Sequence, residues 1–193
     1  MSKQMEPLKL PARFAKDDPG VYFGCPKAKK AVNKYASGSQ PAFINGVNLY
    51  LNGPTNSGKT YLACYLLRKL ASQGFNVGYT TLSELTTFML QPTDGVSFSR
   101  ILRETDFLVI DSADEGVNEG SRLALSRAIT FRRDEAMPTI LCSVHEDDGS
   151  EDAYFTAALG DTFARFLDLA INVPCSADPF KVAAYLKSLK SLK

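Results

Sequence analysis

One octapeptide contains the residue types that bind phosphate. Residues 53–60 read G-P-T-N-S-G-K-T, which fits the spacing G-x-x-x-x-G-K-[ST] without a mismatch. Gly53 and Gly58 allow the backbone to curl so that its N–H groups point at a polyphosphate. Lys59 would reach the β- and γ-phosphates of ATP, and the Thr60 hydroxyl would ligate Mg²⁺. The predicted nucleotide ligands in this stretch are Gly53, Pro54, Thr55, Asn56, Ser57, Gly58, Lys59, Thr60 and Tyr61.

The segments on either side of the loop are those that a phosphate cradle requires. Residues 47–52 resemble a short strand, and residues 61–70 read as a helix. The free N–H groups and the positive dipole end of that helix would point at the same phosphates. The alternative is a glycine turn that fits the pattern by chance, and both flanks argue against it.

A second candidate residue ends an apolar run. Residues 106–111 read D-F-L-V-I-D, which predicts a buried parallel strand with the Asp111 carboxylate at its tip. Asp111 would hold Mg²⁺ through water, opposite Thr60. An aspartate at a strand end often caps the next turn instead, but its position downstream of the glycine loop favours the metal role.

Strands and helices alternate five times along the chain. Further strands are predicted at 75–81, 139–144 and 168–173. The alternation predicts an α/β fold, a three-layer sandwich with a five-stranded parallel sheet and helices on both faces. Ligands of such sheets bind at the carboxyl ends of the strands, where Gly53, Asp111 and Ser143 are expected.

Local signals predict where the intervening helices begin. Ser83 is expected to cap a helix over 84–90, and a longer helix is expected from about Arg122 to Ala136. The run S-G-S-Q-P at 37–41 is expected to break the chain before the first strand.

Composition excludes several classes of protein. The chain has 193 residues, 45% of them hydrophobic, and a formal net charge of +1, so one globular domain without a global nucleic-acid signal is expected. No apolar run is long enough to span a bilayer, and no signal-peptide pattern opens the chain. Four widely spaced cysteines form no zinc pattern and predict buried free thiols, which suits a cytoplasmic protein of a bacterium or an infected cell.

The two ends of the chain differ from its middle. Residues 1–40 are expected to form an N-terminal arm with a short basic helix at 26–37, whose lysines form either a solvated face or a DNA patch. Residues 41–193 would form the ATP-binding domain, ending in a basic amphipathic helix over 179–193.

Several motifs together resemble one family. The loop at 53–60, the strand ending in Asp111, P-T-I-L-C-S at 138–143 and L-G-D-T-F-A-R at 159–165 are similar to the AAA+ core of replicative-helicase loaders of the DnaC, DnaI and IstB type. The resemblance covers roughly residues 10 to 183, starting with P-A-R-F at 11–14. It implies that Arg165 acts across a subunit interface on a neighbour's nucleotide, and that Lys181 touches the γ-phosphate.

The chain departs from that family at positions that matter for hydrolysis. Ser112 stands where the family has the carboxylate that polarises the attacking water, and a hydroxyl is a poor base. Asp114 or Glu115 would have to substitute from a shifted position. Val144 takes the place of the sensor asparagine, beside Ser143 and His145. Slow hydrolysis, or binding without hydrolysis, is therefore expected.

The resemblance implies an ATP-binding protein of DNA replication, encoded by a phage or mobile element. It would bind ATP and Mg²⁺, a replicative DNA helicase, single-stranded DNA and further copies of itself through Arg165, and no membrane. A superfamily-three viral helicase, an IstB-like transposition helper and a P-loop small-molecule kinase remain alternatives, because P-loop sheets carry many activities.

Overall fold

A computed structural model of the chain describes residues 10–11, 14, 24–91, 97–113, 118–144, 155 and 159–176. Five parallel strands form one sheet in the order β2-β3-β4-β1-β5. The predicted α/β class and parallel sheet are confirmed. The strands are β1 Asn48–Gly53, β2 Val77–Thr81, β3 Phe107–Asp111, β4 Thr139–Val144 and β5 Ala170–Pro174.

Helices cover both faces of this sheet, and each face has its own hydrophobic cluster. The side chains of β1 show the division, because Leu49 and Leu51 belong to one cluster and Tyr50 to the other. The first cluster includes residues of α1 and α3, and the second includes residues of α4 to α7. The described helices are α1 Pro26–Ser37, α2 Ser39–Ile44, α3 Lys59–Ser72, α4 Leu82–Leu90, α5 Phe98–Arg103, α6 Glu119–Asp134 and α7 Asp161–Asp168.

Helix α1 forms where the lysine-rich segment is predicted to be helical, and it packs into the core. Pro26 occupies its first turn, where the missing N–H costs nothing. Val32 and Tyr35 are buried against residues of α3 and β1, and the Tyr35 hydroxyl donates to the Val47 carbonyl at 2.6 Å. The buried face of α1 is therefore part of the core around the glycine loop.

Two predicted helix boundaries are wrong. Helix α4 is capped by Thr81 and not by Ser83, since Thr81 accepts from the Glu84 N–H at 3.2 Å and Glu84 accepts from the Thr81 N–H at 3.0 Å. This reciprocal capping box satisfies two donors that Ser83 would leave open. In α6, the same arrangement of Asn118 with Ser121 starts the helix before Arg122.

The predicted break at 37–41 is also wrong in part. Only Gly38 interrupts the helical path, and α2 begins at Ser39. Pro41 lies in the first turn of α2, where proline is tolerated because its N–H would have no helical partner. The Ser39 hydroxyl donates to Gln73 at 2.6 Å, which ties α2 to the end of α3.

All four cysteines are free thiols, and Cys64, Cys142 and Cys175 are buried, as predicted. Within the described part of the chain, no helix is both long enough and apolar enough to cross a membrane. The predicted helix over 179–193 and half of the predicted N-terminal arm lie outside the described residues.

Candidate nucleotide-binding site

The loop between β1 and α3 has a backbone that few residue types can adopt. Gly53 and Gly58 have φ angles of 142° and 91°, and Asn56 has a φ of 64°. A Cβ atom on Gly53 would lie 1.9 Å from the carbonyl oxygen of Cys175. The N–H of Cys175 donates to the Asn52 carbonyl at 2.6 Å, so the chain leaving β5 holds the base of the loop.

Helix α3 begins directly after this loop and presents its amino end to it. No described side chain caps the helix at Gly58. The first N–H groups of a helix lack helical acceptors and form a site for anions. The loop and helix thus have the backbone donors that a polyphosphate requires.

Lys59 supplies a positive charge at the same place. Its side chain is buried, and its ammonium group donates to the carbonyl oxygens of Gly53 at 2.6 Å and Pro54 at 2.9 Å. The Ser57 hydroxyl is 3.4 Å from the same nitrogen. A phosphate in the loop would offer this ammonium a charged acceptor in place of neutral carbonyls.

Asp111 lies at the tip of β3, buried, with both carboxylate oxygens engaged. One oxygen accepts from the Tyr79 hydroxyl at 2.7 Å, and the other accepts from the Ser112 N–H at 2.9 Å. Burial, and then the nearby Asp111 carboxylate, raise the pKa of Tyr79, so its hydroxyl remains a donor. Each carboxylate oxygen keeps a lone pair for a metal-bound water, which fits the predicted role.

Ser112 follows Asp111 in a left-handed conformation with a φ of 53°. This conformation costs a residue other than glycine of order 1 kcal/mol and is frequent at functional sites. The Ala113 N–H, and not that of Ser112, donates to the Cys142 carbonyl at 3.0 Å. Ser112 therefore leaves the strand ladder directly after Asp111.

The remaining predicted ligands differ in exposure. Pro54, Thr55 and Asn56 are exposed, and Thr60 is partly buried at the start of α3. The Tyr61 side chain is buried in the core, stacked on Tyr65 with ring centroids 6.2 Å apart. Tyr61 would therefore contribute to nucleotide binding through its main chain.

Ser143 lies at the end of β4, level with Asn52 of β1. Its hydroxyl is fully buried and shares a 2.7 Å hydrogen bond with the Tyr50 hydroxyl. Asn52 is also buried, and its Oδ1 atom has no hydrogen-bond partner among the described residues. This acceptor, next to the first residue of the loop, could accept a hydrogen bond from a group that the described residues do not supply.

Arg165 lies on α7, whose buried residues belong to a different hydrophobic cluster from those of α3. Phe163 and Phe166 on either side of it are buried and pack edge-on against Tyr50, at 5.6 and 6.2 Å. Arg165 itself is exposed. Asp114, Glu115, His145 and Lys181 lie outside the described residues.

Comparison with known proteins identifies the family. Residues 2–124 match the family of IstB-like ATP binding proteins, which is more than half of the chain. The chain belongs to this family. It thus has an IstB-like ATP-binding domain. A separate comparison with curated proteins finds no match.

Several solved structures of similar fold are AAA+ proteins of DNA replication. The DnaC helicase loader is 19% identical with a TM-score of 0.66, the alignment covering 78% of this chain and 89% of DnaC. DnaI is 20% identical with a TM-score of 0.59, covering 78% and 84%. The replication initiator DnaA bound to AMPPCP and single-stranded DNA is 16% identical with a TM-score of 0.62, covering 88% and 52%. At these identities the likeness establishes the AAA+ fold of this IstB-like protein.

Two residues of this IstB-like site escape the sequence patterns. Tyr79 fixes the Asp111 carboxylate, but its position in β2 becomes informative only when β2 is known to lie beside β3. The backbone of Cys175, the residue that follows β5, packs against Gly53, and no local sequence pattern predicts this contact. A polar aromatic residue in an otherwise buried strand is the one hint that the sequence offers for Tyr79.

Proposed function

We propose that this protein is an ATP-dependent switch of the helicase-loader type, acting with a replicative DNA helicase and single-stranded DNA. The observation that carries the proposal is the glycine loop, whose carbonyl oxygens at Gly53 and Pro54 accept from the Lys59 ammonium group. The loop belongs to a fold shared with DnaC and DnaI. The loop N–H groups and Lys59 would bind the phosphates. Thr60 and Asp111 would hold Mg²⁺, with Tyr79 orienting the carboxylate.

The remaining residues of the proposed switch act on assembly and turnover. Bound ATP would supply the negative charge that draws Arg165 of a neighbouring subunit to the site. Arg165 is exposed, and Phe163 and Phe166 anchor its helix, so it is held on the surface for such a contact. With Ser112 in place of a carboxylate, we propose that the bound state is long-lived and that hydrolysis is slow.

The first test of the site is Lys59→Ala. We expect this variant to lose binding of a fluorescent ATP analogue, because a buried ammonium at the phosphates contributes a charge-assisted hydrogen bond. Lys69→Ala, at the other end of α3, is the matched control and should bind as the wild type does. Circular dichroism verifies that both variants fold. If Lys59→Ala still bound the ATP analogue with micromolar affinity, the assignment of residues 53–60 as the phosphate-binding loop would be wrong.

The test of the partner is affinity capture of the tagged protein from its native cell. The capture is run with a non-hydrolysable ATP analogue and without nucleotide, and mass spectrometry identifies the bound proteins. Enrichment of a hexameric replicative helicase with the analogue is the expected result. Absence of that helicase in both arms would contradict the loader function while leaving nucleotide binding intact.

A second candidate function is that of a transposition helper, favoured by the match to the IstB-like family over residues 2–124. The same capture distinguishes the two functions. A transposase among the enriched proteins, with no helicase, would establish the helper function.

A further inference from the structure

One buried amide beside the glycine loop has an oxygen that the described fold does not use. Asn52 is the residue directly before Gly53, and its side chain is only 9% exposed. The Oδ1 atom of Asn52 has no hydrogen-bond partner among the described residues. A buried acceptor without a donor lowers stability, so a polar residue in such a place requires an explanation.

A second asparagine of the same strand shows what a structural role requires. Side chains alternate along a strand, so Asn48 and Asn52 both lie on the Tyr50 face of β1. Asn48 is also buried, but its Oδ1 accepts from the Thr139 N–H at 2.9 Å and its Nδ2 donates to the Phe166 carbonyl at 3.4 Å. Asn48 therefore joins neighbouring elements, whereas no described residue makes the corresponding bond to the Asn52 oxygen.

The polar groups level with Asn52 are already paired with each other. Ser143 of β4 lies beside Asn52, and its hydroxyl shares a 2.7 Å hydrogen bond with the Tyr50 hydroxyl. The Tyr50 ring packs edge-on against Phe163 and Phe166, which holds its hydroxyl in that place. Neither hydroxyl bonds to the Asn52 Oδ1 atom. A water molecule or a ligand is the remaining kind of donor.

Hydrolysis of ATP at the loop needs a group that holds the attacking water. At the tip of β3, the Asp111 oxygens accept from the Tyr79 hydroxyl and the Ser112 N–H, and their remaining lone pairs suit a metal-bound water. Asn52 lies near the carboxyl end of β1, where parallel sheets bind their ligands. A water that donates to the Asn52 Oδ1 atom would have its own lone pair in a fixed direction.

We propose that Asn52 positions the water that attacks the γ-phosphate, through an O–H···Oδ1 hydrogen bond. This inference rests on the proposed ATP switch and names a residue that sustains its slow turnover. The water oxygen bonds to the γ-phosphorus as the bond from that phosphorus to the β–γ bridging oxygen breaks. ADP leaves with the electron pair of the broken bond. One water proton stays on its oxygen and the other passes to a γ-phosphate oxygen, which gives H₂PO₄⁻. Asn52 orients the water and takes no proton, because an amide oxygen is a very weak base.

The test compares alanine substitutions at the two asparagines of β1. In single turnovers of ATP radiolabelled at the γ-phosphate, Asn52→Ala should release phosphate roughly 10- to 100-fold more slowly than the wild type. It should bind a fluorescent ATP analogue with wild-type affinity, because Asn52 holds the water and not the phosphates. Its urea midpoint should equal or exceed that of the wild type, since an unsatisfied buried acceptor is removed.

Asn48→Ala is the matched control. It leaves a buried N–H and a buried carbonyl without partners, so its urea midpoint should fall by about 1 M, while its rate of phosphate release per folded molecule stays at the wild-type level. Asn52→Asp is the second variant. It keeps an oxygen acceptor in a side chain of the same shape and should release phosphate at least as fast as the wild type.

Three results would overturn the role of Asn52. An unchanged rate in Asn52→Ala would mean that the amide holds a structural water or none. A urea midpoint that falls as far as that of Asn48→Ala would mean that the amide serves the fold. A wild-type protein that binds the analogue but releases no phosphate would have no attacking water to position, and the ATP switch would still stand. A wild-type protein that does not bind the analogue would instead contradict the proposed function itself.

Discussion

At the scale of single residues, Gly53 joins the phosphate loop to the chain that leaves β5. Its φ of 142° and the 1.9 Å approach of the Cys175 carbonyl to an added Cβ leave no room for a side chain. Gly74 also has a positive φ, of 92°, but an added Cβ there would meet nothing within 4 Å. Alanine substitutions at these two glycines therefore separate the energetic cost of a strained backbone, present at both, from the cost of the clash with Cys175, present only at Gly53.

We expect Gly53→Ala to lower the free energy of unfolding by about 3 to 5 kcal/mol, because overpacking against a backbone carbonyl adds to strain. Gly74→Ala should lower it by about 1 to 2 kcal/mol, from strain alone. Urea denaturation of both variants, followed by circular dichroism, makes the comparison. Equal losses would mean that the contact with Cys175 contributes nothing.

We propose that Ser112 limits the turnover of ATP at this site. We expect Ser112→Glu to raise the steady-state rate of phosphate release at least about tenfold, since a positioned general base contributes on the order of 10²-fold or more. Ser112→Gln is the control of equal size without a base, and its rate should stay at the wild-type level. An unchanged rate in Ser112→Glu would point to Asp114 or Glu115, or to a site that does not hydrolyse ATP.

The sequence predicts the residues of the loop better than the contacts that support them. Lys59 and Asp111 could be found because a glycine loop before a helix and an aspartate after an apolar run are local patterns. The contact of Tyr79 with Asp111 depends on which strands are neighbours, and strand order is not a local property. The Thr81 cap could have been predicted in place of Ser83, because T-L-S-E at 81–84 has the spacing of a capping box and Ser83 lacks a Glu or Gln three residues later.

At the scale of elements, the fully buried Arg132 near the end of α6 connects three neighbouring segments. Its guanidinium donates to the carbonyls of Leu102 at 2.8 Å, Asp106 at 3.0 Å and Pro138 at 2.7 Å. These carbonyls lie in α5 and just before the starts of β3 and β4. Burial lowers the pKa of Arg132 to about 9, so the side chain is still charged at neutral pH.

We expect Arg132→Met to lower the free energy of unfolding by about 3 to 5 kcal/mol, because several buried carbonyls lose their donor at once. Arg133→Met is the matched control. Arg133 is partly exposed and pairs with the exposed Asp134 at 2.6 Å, so its loss should cost no more than about 1 kcal/mol. Chemical denaturation with two probes tests both variants, and similar midpoints would contradict the role of Arg132 as a connector.

The elements themselves were largely predictable, for physical reasons that also explain the misses. The strands β1, β3 and β4 are short runs rich in apolar residues that a parallel sheet buries on both faces, so their composition marks them. Helix α2 was missed because a proline usually breaks a helix and is harmless only in the first turn. The burial of Arg132 was unpredictable, because arginine is almost always exposed unless the fold supplies acceptors for it.

At the scale of the whole molecule, the two halves of the proposed site lie in different layers. Lys59 begins α3, whose side chains belong to the first hydrophobic cluster, whereas Phe163 and Phe166 of α7 belong to the second. Arg165 projects from α7 as an exposed residue. An arginine held on the surface in this way suits a head-to-tail assembly, in which each subunit completes its neighbour's site.

We expect Arg165→Ala to bind an ATP analogue with the affinity of the isolated wild-type subunit, but to remain monomeric when the wild type assembles. Sedimentation velocity with a non-hydrolysable analogue measures assembly, and Arg127→Ala on the exposed face of α6 controls for lost charge. Mixing equal amounts of Lys59→Ala and Arg165→Ala should restore about a quarter of the interfaces. An intact interface needs the nucleotide site of an Arg165→Ala subunit and the arginine of a Lys59→Ala subunit, and each is present in half of the subunits. Normal assembly of Arg165→Ala would show that the arginine belongs to no site between subunits. A loss of ATP-analogue affinity in the monomer would instead place the arginine in the site of its own subunit.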